Sequence, residues 1–485
     1  MSTGLDRSFG EVLRDLAAED PDRPAITCGD ATITRQELEG LSNRLAREYA
    51  ALGVGRGDFV TIGAPNSIGF FASAFATWKL GAIPQPVSYR LPQRELDAIV
   101  ELVQPALLVG LGLDGDRPAI AVDHQPGPEV SGDPLPTVIS PAWKAPTSGG
   151  STGRPKLIVA DQPAVLGSVD GFAALLGIPT NGTLLSTGPL YHNGPFITDV
   201  FALLRGSQVI VMPRFDAETA LQLVEKHRAQ WMYAVPTMML RISRLPDQVR
   251  HGYDLSSLER VLHLAAPCPE WLKREWIDWL GPERIWELYA GTEVQSVTVI
   301  DGADWLRHPG SVGRPLVGEM CVLDEDGNPV PPGTVGSLWM RRGEGEPPPY
   351  HYIGAEPRAR EGGWECLGDV GRIDEEGYVY LADRDSDMIL VGGANVYPAE
   401  VEAALEEHPQ VRTSCVVGLP DDDLGQVVHA VVELAGEVSD EDLLAFCAER
   451  LVRYKVPRVV HRSSTALRDD AGKMRRSAVR AELMG

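Results

Sequence analysis

The chain has few cysteines and no long apolar run. Its six cysteines are scattered among 485 residues, and none belongs to a C-x-x-C pair. This distribution argues against a disulfide framework and a zinc site, and it is typical of a reducing cytosol. The sequence has no stretch of about 18 apolar residues, so no transmembrane helix is predicted. The charged N-terminus lacks the apolar core of a secretory signal. We therefore expect a cytoplasmic protein without integral membrane contact.

Basic residues are also scarce. Lysine and arginine number 44 against 68 aspartates and glutamates, which gives a net charge of −24 at pH 7. Such a charge disfavours binding to nucleic acid and to anionic membranes. The exception is the segment from residue 451 to residue 485, which has nine basic and three acidic residues. This segment is either a solvated basic surface or a local site for an anionic ligand.

Apolar residues, by contrast, are abundant enough for more than one core. They make up 44% of the chain, and its length predicts two or more domains. An amphipathic helix at 93–104 precedes an apolar strand at 106–109, and similar units follow. This alternation predicts mostly parallel sheets covered by helices. Short strands and turns at 318–341 predict a small β subdomain, and the proline-rich segment 343–357 predicts an irregular loop.

The pattern changes again after Arg384. From Ala399 the sequence predicts a helix, two strands, a second helix and a last strand that ends at His461. This is a compact α+β unit of about 100 residues, large enough to fold alone. We therefore predict an N-terminal domain at 1–384, with its β subdomain at about 310–384, and a mobile C-terminal domain at 385–485.

A loop rich in glycine and hydroxyl residues is the clearest functional signal. It reads Pro-Thr-Ser-Gly-Gly-Ser-Thr-Gly-Arg-Pro-Lys from Pro146 to Lys156. Glycines allow a tight turn and close approach to a ligand, and successive backbone N–H groups can surround an anion. The loop lacks the G-x-x-x-x-G-K-[ST] pattern of the common nucleotide-binding loop. It predicts a phosphate site, and the alternative is a flexible surface loop.

Three further segments carry side chains that suit a nucleotide site. Glu293 follows Thr292 after a predicted strand, and such an acid suits Mg²⁺. Asp369 follows a glycine and suits the two hydroxyls of a ribose. Lys473 follows Gly472 and suits a mobile donor of positive charge. Each segment taken alone is equally typical of a turn, a capping aspartate or a solvated lysine.

In order and spacing, these motifs resemble the adenylate-forming superfamily of acyl-CoA synthetases, luciferases and nonribosomal adenylation domains. The resemblance covers nearly the whole chain and favours the acyl-CoA ligase branch. Its other segments are Leu190–Asn193, Val235–Met238, Ala265–Pro267, Gly310–Pro315, Gly392–Pro398 and Tyr454–Pro457.

The resemblance implies a ligase that uses ATP, Mg²⁺ and coenzyme A. An acyl-adenylate forms first with release of pyrophosphate, and an acyl-CoA thioester then forms with release of AMP. The implied catalytic residues are Lys473, Glu293, Thr292 and His192, and the implied metal ligands are Glu293 and Thr292. The implied contacts to nucleotide and CoA are Ser148, Gly149, Gly150, Ser151, Thr152, Gly153, Lys156, Ala265, Ala266, Pro267, Tyr289, Asp369, Arg384, Gly392 and Gly393.

The resemblance further implies rotation of the C-terminal domain about Ser386, where the family usually has lysine or aspartate. The rotation withdraws Lys473 after the first step and brings Gly392 and Gly393 to a pantetheine tunnel. A second departure from the family is Gly149, which replaces a usual hydroxyl residue of the loop. These departures concern the tuning of the reaction rather than its class.

The acid is predicted to be hydrophobic. No acidic residue near the start of the segment 233–239 is placed to hold an amino group. Ala290 and Gly291 leave space, and the expected substrate is an aliphatic, alicyclic or aryl acid without an amino group. The Ser-Gly-Gly-Ser-Thr-Gly loop and the segment His263–Cys268 resemble those of ligases for bulky polycyclic acids, which implies a bulky alicyclic or polycyclic acid. The implied substrate pocket contains His192, Asn193, Phe196, Thr237, His263, Leu264 and Gly291.

Two other functions are alternatives to this prediction. A stand-alone adenylation enzyme that loads the thiol of a carrier protein shares every motif. A binding subunit without activity would be expected to lack Lys473, Glu293 or Asp369, and all three are present. The expected partners are a small carboxylic acid, ATP and CoA, with a carrier protein only under the alternative. The sequence leaves the oligomeric state open, a homodimer included.

Overall fold

The computed structural model describes residues 4–112, 117–149, 155–421, 423–469 and 472–484. No helix in these ranges is long and apolar enough to cross a membrane. Their α-helices are α1 (Phe9–Glu19), α2 (Arg35–Ala51), α3 (Ile68–Lys79), α4 (Gln93–Val103), α5 (Asp170–Leu175), α6 (Asn193–Leu204), α7 (Ala217–His227), α8 (Pro236–Ser243), α9 (Asp247–Arg250), α10 (Glu270–Leu280), α11 (Gly302–Arg307), α12 (Pro398–Glu406), α13 (Asp440–Ala448) and α14 (Arg476–Met484).

The strands fall into four sheets. Those before residue 300 begin with β1 (Pro24–Cys28), β2 (Ala31–Thr34), β3 (Phe59–Ile62), β4 (Ile83–Pro86), β5 (Leu107–Val109), β6 (Ala119–Ile120), β7 (Thr147–Gly149), β8 (Pro155–Ala160), β9 (Thr183–Ser186), β10 (Gln208–Val211), β11 (Trp231–Ala234), β12 (Arg260–His263), β13 (Ile285–Ala290) and β14 (Val297–Asp301). The later ones are β15 (Ser311–Val317), β16 (Glu319–Leu323), β17 (Gly336–Arg341), β18 (Tyr350–Ile353), β19 (Arg358–Arg360), β20 (Trp364–Cys366), β21 (Asp369–Ile373), β22 (Val379–Arg384), β23 (Ile389–Val391), β24 (Ala394–Val396), β25 (Val411–Asp421), β26 (Gly425–Leu434) and β27 (Val459–Arg462).

Two parallel sheets form the centre of the N-terminal domain. In the larger sheet the parallel neighbours run β1-β10-β9-β11-β12-β13, and β2 and β14 flank them antiparallel. The smaller sheet has the order β4-β3-β5-β6, all parallel. Their strands are short apolar runs that helices such as α3 and α6 cover, as parallel sheets require. The predicted pair of helix-covered parallel sheets is therefore confirmed.

A third sheet corrects one expectation. Strand β18 pairs antiparallel with β8, and β8 pairs with β7, so the segment 343–357 is not irregular throughout. Its strand reads Tyr-His-Tyr-Ile, and aromatic and β-branched side chains favour a half-buried strand. The prolines before it masked this preference in the sequence.

The predicted β subdomain is continuous with the large sheet. Strand β15 pairs with β14 on one side and with β22 on the other, and β21, β17, β20 and β19 follow. Gly327 and Gly333 lie at the predicted turns, both with a φ of 82° that favours glycine. The subdomain thus extends the large sheet rather than standing apart from it.

The C-terminal domain has a sheet and a core of its own. Its sheet has the order β24-β23-β26-β25, with β27 parallel to β26, and helices α12 and α13 contribute to the core. This core includes Ile389, Leu405, Val416, Val428 and Leu443. The predicted fold class, a large α/β domain followed by a small α+β domain, is confirmed. The boundary between residues 384 and 385 stays a prediction.

A buried ion pair offers a test of the N-terminal core. The Nζ of Lys79 on α3 donates to Glu39 Oε2 and to Asn43 Oδ1 of α2, each at 2.6 Å. Burial lowers the pKa of Lys79 to about 8, and the charge of Glu39 opposes that shift. We expect Lys79→Met to cost about 3–5 kcal/mol of unfolding free energy, because it leaves a buried carboxylate unpaired.

Urea denaturation measures this loss, with Arg228→Met as the control. Arg228 makes an exposed pair with Asp254, so its removal should cost about 1 kcal/mol or less. Equal losses for the two variants would contradict a special role of the buried pair.

Candidate active site

The predicted phosphate loop connects the antiparallel strands β7 and β8. Ser148 is paired with Lys156, and Gly149 with Pro155. The predicted residues Gly150, Ser151, Thr152 and Gly153 lie outside the described residues, as do the side chains of Ser148 and Gly149. The structure shows the two strands on either side of the loop, and Lys156 lies near the start of the second strand, β8.

Lys156 meets the predicted metal ligand. Its Nζ lies 3.6 Å from Glu293 Oε1 and 3.8 Å from the ring centre of Tyr352. The hydroxyl of Tyr352 donates to the same Glu293 oxygen at 2.5 Å. Glu293 itself is 6% exposed and lies just after β13, next to Thr292. Lys156 and Glu293, which are 137 positions apart in the sequence, therefore lie in one site.

The carboxylate of Glu293 suits magnesium. Mg²⁺ in nucleotide enzymes takes oxygen ligands and is usually held by one or two carboxylates, the substrate phosphates and water. Among the described residues, no cluster of three or more histidine, cysteine, aspartate or glutamate side chains forms a complete metal cage. Glu293, with the hydroxyl of Thr292, would therefore hold Mg²⁺ together with the nucleotide.

The predicted ribose residues lie together. Asp369 on β21 is in register with Arg384 on β22, and the Arg384 Nε lies 2.9 Å from Asp369 Oδ1. The Tyr289 hydroxyl donates to the other oxygen, Oδ2, at 2.7 Å. Burial and the charge of Asp369 raise the pKa of Tyr289 well above its usual value. Tyr289 is thus a neutral donor that fixes the carboxylate, which leaves its ring as a candidate surface for the base.

The segment Ala265–Pro267 follows directly after β12. Ala265 has a φ of 74°, in the left-handed region that alanine avoids at a cost of about 1 kcal/mol. Strained backbone of this kind is concentrated at ligand sites. The turn therefore agrees with the predicted adenine edge, which stays a prediction.

His263 does not join the predicted substrate residues. It pairs with Glu287 across the strands β12 and β13, and its Nε2 lies 3.9 Å from the Glu287 carboxylate. Lys273 of α10 donates to that carboxylate at 2.5 Å. Burial, and then the charge of Lys273, hold the pKa of His263 well below its usual value. His263 is therefore a neutral side chain on the α10 side of the sheet, whereas His192 lies at the start of α6.

The other predicted substrate residues divide between the cleft and the core. Leu264 contacts the α6 side, because a Cβ added at Gly194 would lie 3.2 Å from Leu264 Cδ1. Phe196 instead packs into the N-terminal core, with its ring centre 6.2 Å from that of Phe70 and 6.1 Å from that of Trp78. Its position one turn into α6 aims it at α3 rather than at the strand ends.

Gly291 leaves less space than the sequence predicts. A Cβ at this position would lie 2.3 Å from Leu367 Cδ1 and 2.9 Å from Glu293 Oε2. Leu367 occupies the volume that the absent side chain frees. Gly291 therefore allows Leu367 and Glu293 to approach the chain closely, and it does not by itself enlarge a substrate pocket.

The loop that carries Lys473 reaches the same cleft from the C-terminal domain. A Cβ at Gly472, where φ is 75°, would lie 2.8 Å from Thr237 Oγ1 of the N-terminal domain. The Lys473 side chain is exposed, and desolvation of its ammonium by the surrounding protein nevertheless lowers its pKa. The charge of Arg384 also lowers the pKa of Lys473, whereas the charges of Asp469 and Glu293 raise it. The structure thus shows the predicted catalytic lysine at the N-terminal site.

His192 contributes a neutral ring beside this loop. Burial and the charge of Lys473 lower the pKa of His192 to about 3, and its Nε2 lies 3.9 Å from Asp469 Oδ2. A histidine with this pKa is uncharged at neutral pH, so the 3.9 Å contact is not an ion pair. His192 therefore offers a packing surface and a hydrogen-bonding nitrogen rather than a positive charge.

Contacts from the N-terminal domain hold the C-terminal domain in this orientation. Arg244 Nη2 donates to the main-chain carbonyls of Glu406 at 2.8 Å and His408 at 3.3 Å. Trp271 Nε1 donates to the carbonyl of Ala403 at 3.4 Å. The acceptors lie in the last turn of α12 and just beyond it, where carbonyls are often left without a partner in the helix. The Ala403 carbonyl is shared, because it also accepts the N–H of Glu407 at 3.3 Å.

The predicted hinge lies in a short 3₁₀ turn, Asp385–Asp387, in which Ser386 is exposed. Arg476 of α14 holds the end of this turn, with its Nη1 2.9 Å from Asp387 Oδ2. Gly392 and Gly393 form the turn between β23 and β24, and the Gly392 N–H donates to the Leu424 carbonyl. Within the described ranges, no contact joins these glycines to the phosphate site.

Two site residues escaped the sequence analysis. Tyr352, which donates to Glu293, lies in the segment that was expected to be a loop, and no pattern marked it. Lys144 is buried close to the site, and its Nζ donates to Asn193 Oδ1 at 2.6 Å. The signal for Lys144 was present, because a lysine interrupts the otherwise apolar run that leads to the phosphate loop.

Two family profiles match most of the chain. The profile of the AMP-binding enzyme family matches residues 13–345, and that of the AMP-binding enzyme C-terminal domain matches residues 400–473. A long-chain-fatty-acid–CoA ligase of Mycobacterium tuberculosis is 29% identical over 98% of both chains. A 2-succinylbenzoate–CoA ligase of Bacillus cereus is 30% identical over 92% of both chains.

Solved structures show the same fold. The o-succinylbenzoate CoA synthetase of Bacillus subtilis, in complex with its acyl-adenylate intermediate, superposes with a TM-score of 0.82 at 26% identity. The match covers 96% of this chain and 97% of that one. A second structure of that synthetase, in complex with ATP and magnesium ion, also has a TM-score of 0.82 at 26% identity and covers 98% of this chain and 99% of that one.

Proposed function

Because this chain belongs to the family of AMP-binding enzymes, we propose that it is an ATP-dependent carboxylic acid–CoA ligase for a hydrophobic acid. The observation that carries the proposal is the position of the Lys473 loop at the N-terminal cleft. The main-chain N–H of Lys473 donates to Asp469 Oδ1 at 2.9 Å, and Asp469 Oδ2 lies 3.9 Å from His192 Nε2. The names of the relatives support CoA as the acceptor, since both curated relatives described above are CoA ligases.

In the first half-reaction, a carboxylate oxygen of the acid attacks the α-phosphorus of ATP. The new bond is a mixed anhydride, and the bond to pyrophosphate breaks. Two anions must approach each other, so catalysis consists mainly of positioning and charge neutralisation. Lys473 supplies a positive charge from the C-terminal domain, and Lys156 supplies one from β8. Mg²⁺ held at Glu293 would add further charge neutralisation when bound.

The ribose of the nucleotide is bound at a distance from the reacting atoms. The carboxylate of Asp369, fixed by Tyr289 and Arg384, accepts hydrogen bonds from the ribose hydroxyls. His192 is neutral and therefore packs against the reacting carboxylate without pairing with it. These contacts restrict the orientation of the α-phosphate relative to the acid.

In the second half-reaction, the thiol of CoA attacks the acyl carbon and AMP leaves. The C-terminal domain rotates about Ser386, which removes Lys473 from the cleft and brings Gly392 and Gly393 to the route of the pantetheine arm. The contacts of Arg244 and Trp271 with α12 must break during this rotation. One cleft thus serves two reactions in succession.

The acid itself is proposed to be hydrophobic and bulky, of the alicyclic or polycyclic kind. The residues that face it are His192, Asn193, Thr237 and Leu264, none of which carries a negative charge for an amino group. A panel of acids, assayed for pyrophosphate release and for CoA thioester by mass spectrometry, tests this class. Turnover confined to amino acids, or to short polar acids, would contradict it.

The identity of the acceptor thiol gives a further prediction. CoA carries a 3′-phosphate and a diphosphate, and the basic segment from residue 451 onward offers cations for them on an otherwise acidic protein. We expect CoA to support turnover at submillimolar concentration and pantetheine, which lacks these phosphates, to be a much poorer acceptor. The difference should shrink as salt screens the charges.

Initial rates with CoA and with pantetheine, at low and high salt, measure this difference. The concentrations of acid and ATP are kept the same in all assays as the control for the first half-reaction. Equal efficiency of the two thiols, or thioester formation only on a carrier protein, would favour the stand-alone adenylation enzyme instead.

A further inference from the structure

In the part of the chain that the structure describes, one buried lysine differs from the others in having no carboxylate partner. The described residues include three buried lysines, Lys79, Lys144 and Lys273. Lys79 pairs with Glu39 at 2.6 Å, and Lys273 pairs with Glu287 at 2.5 Å. Lys144 is 3% exposed, and among the described residues its Nζ contacts the amide oxygen of Asn193 and no carboxylate. An ammonium group buried without a counter-charge is costly, so it requires a reason.

The position of Lys144 supplies that reason. Its carbonyl accepts the N–H of Ala160, in the same register that pairs Ser148 with Lys156. Residues directly opposite each other, and those two apart along a strand, lie on the same face of a sheet. Lys144 and Lys156 therefore point to one face, the face from which Lys156 reaches Glu293.

The end of the side chain lies beside the reacting centre. Its hydrogen-bond partner Asn193 follows His192 directly, at the start of α6. Burial lowers the pKa of Lys144 to about 7, and the negative charge of Glu293 opposes that shift. An ammonium group has three N–H donors, and the hydrogen bond to Asn193 uses only one of them. The Nζ also lies 4.9 Å from the ring centre of Trp143, which is a contact with a π face and not with an acceptor atom.

We propose that Lys144 is a fixed oxyanion-binding residue of the reacting centre, which binds either an α-phosphate oxygen of the nucleotide or a carboxylate oxygen of the acid. The proposal rests on the proposed function. Because Lys144 belongs to the N-terminal domain, it stays in the cleft when rotation removes Lys473. It therefore also holds the acyl-adenylate during attack by the thiol.

Lys144→Met tests the proposal, since methionine has similar length and no charge. The dissociation constant of Mg·ATP, measured without acid, tests whether Lys144 binds the phosphate. The KM of the acid at saturating ATP tests whether Lys144 binds the carboxylate. We expect one of the two to rise about tenfold or more, as for the loss of a hydrogen bond to a charged group. We also expect slower thioester formation from a supplied acyl-adenylate, and a melting temperature that is unchanged or higher.

Two further variants separate binding from structure. Lys144→Gln keeps an N–H donor for Asn193 and removes the charge, so it should weaken binding as Lys144→Met does. Lys79→Met removes a paired buried lysine far from the cleft, and it should lower the melting temperature while leaving both constants unchanged.

Several outcomes would overturn the proposal. Unchanged constants for ATP and for the acid in Lys144→Met would make Lys144 a structural residue. Wild-type binding by Lys144→Gln would assign the effect to the contact with Asn193. A defect confined to adenylation would contradict a role of Lys144 in thioester formation, when Lys473 has left the cleft. If wild-type protein forms acyl-adenylate and no acyl-CoA, the proposed function fails in its second step, whereas the two binding measurements still decide the role of Lys144.

Discussion

Lys473→Ala is expected to slow acyl-adenylate formation by about 10²–10³-fold and to leave thioester formation from a supplied acyl-adenylate nearly unchanged. Removal of one preorganised donor of charge has an effect of this size. The structure gives the reason, because Lys473 enters the N-terminal cleft on a loop of the other domain. Its charge is therefore available only in the orientation seen here. Pyrophosphate exchange measures the first step, and a single-turnover assay with synthetic acyl-adenylate measures the second.

Arg475→Ala is the matched control for this variant. Arg475 lies two residues further on and pairs with the exposed Glu95 of the N-terminal domain at 3.2 Å. It shares the loop and the sign of the charge, but it lies outside the cleft, so its loss should affect both steps only slightly. A defect of the same size in both half-reactions of Lys473→Ala would contradict the assigned role.

Ser386→Pro is expected to have the opposite signature, a loss of about 10²-fold in thioester formation with pyrophosphate exchange retained. Proline holds φ near about −65°, which lies within the range of a 3₁₀ turn such as Asp385–Asp387. The variant should therefore accept the orientation seen here and resist the dihedral changes that rotation needs. A thiol that attacks from a displaced position loses rate steeply, on the order of 10²-fold for about 1 Å.

Ser386→Ala separates the backbone effect from the side chain. The Ser386 hydroxyl contacts only Asp387 Oδ1 among the described residues, at 3.3 Å, and alanine removes this contact without restricting φ. We expect wild-type rates in both steps for Ser386→Ala. Thioester formation at the wild-type rate in Ser386→Pro would place the hinge outside residues 385–387.

The fold could be predicted from the sequence where hydrophobic periodicity is strong. The amphipathic pattern at 93–104 predicts α4 to within one residue, and the apolar runs near residues 208 and 231 predict β10 and β11. Strand β18 was missed because prolines around it suggested a loop, whereas its pairing with β8 depends on residues almost two hundred positions away. Local patterns do not contain such long-range pairing.

The site could be predicted in part, through motifs whose spacing is distinctive. Glu293, Asp369, Arg384 and Lys473 were all identified, and the structure places them around one cleft. Their roles stay predictions until the variants are measured. The direction of individual side chains could not be predicted, because a one-residue change of register at a strand end moves a side chain to the other face. His263 is the example, since it is the last residue of β12, a strand that the sequence analysis did not predict, and its ring lies on the α10 side of the sheet.

The docking of the C-terminal domain has a consequence for how these enzymes diverge. The acceptors offered to Arg244 and Trp271 are main-chain carbonyls of residues 403, 406 and 408. Every amino acid carries the same carbonyl, so substitutions at these three positions leave the acceptors in place as long as the helix end keeps its shape. The selective constraint therefore falls on the two donor side chains of the larger domain. A C-terminal domain grafted from a distant relative would retain these acceptors, so these contacts would not require matching side chains on the grafted domain, whereas the pair of Arg475 with Glu95 would.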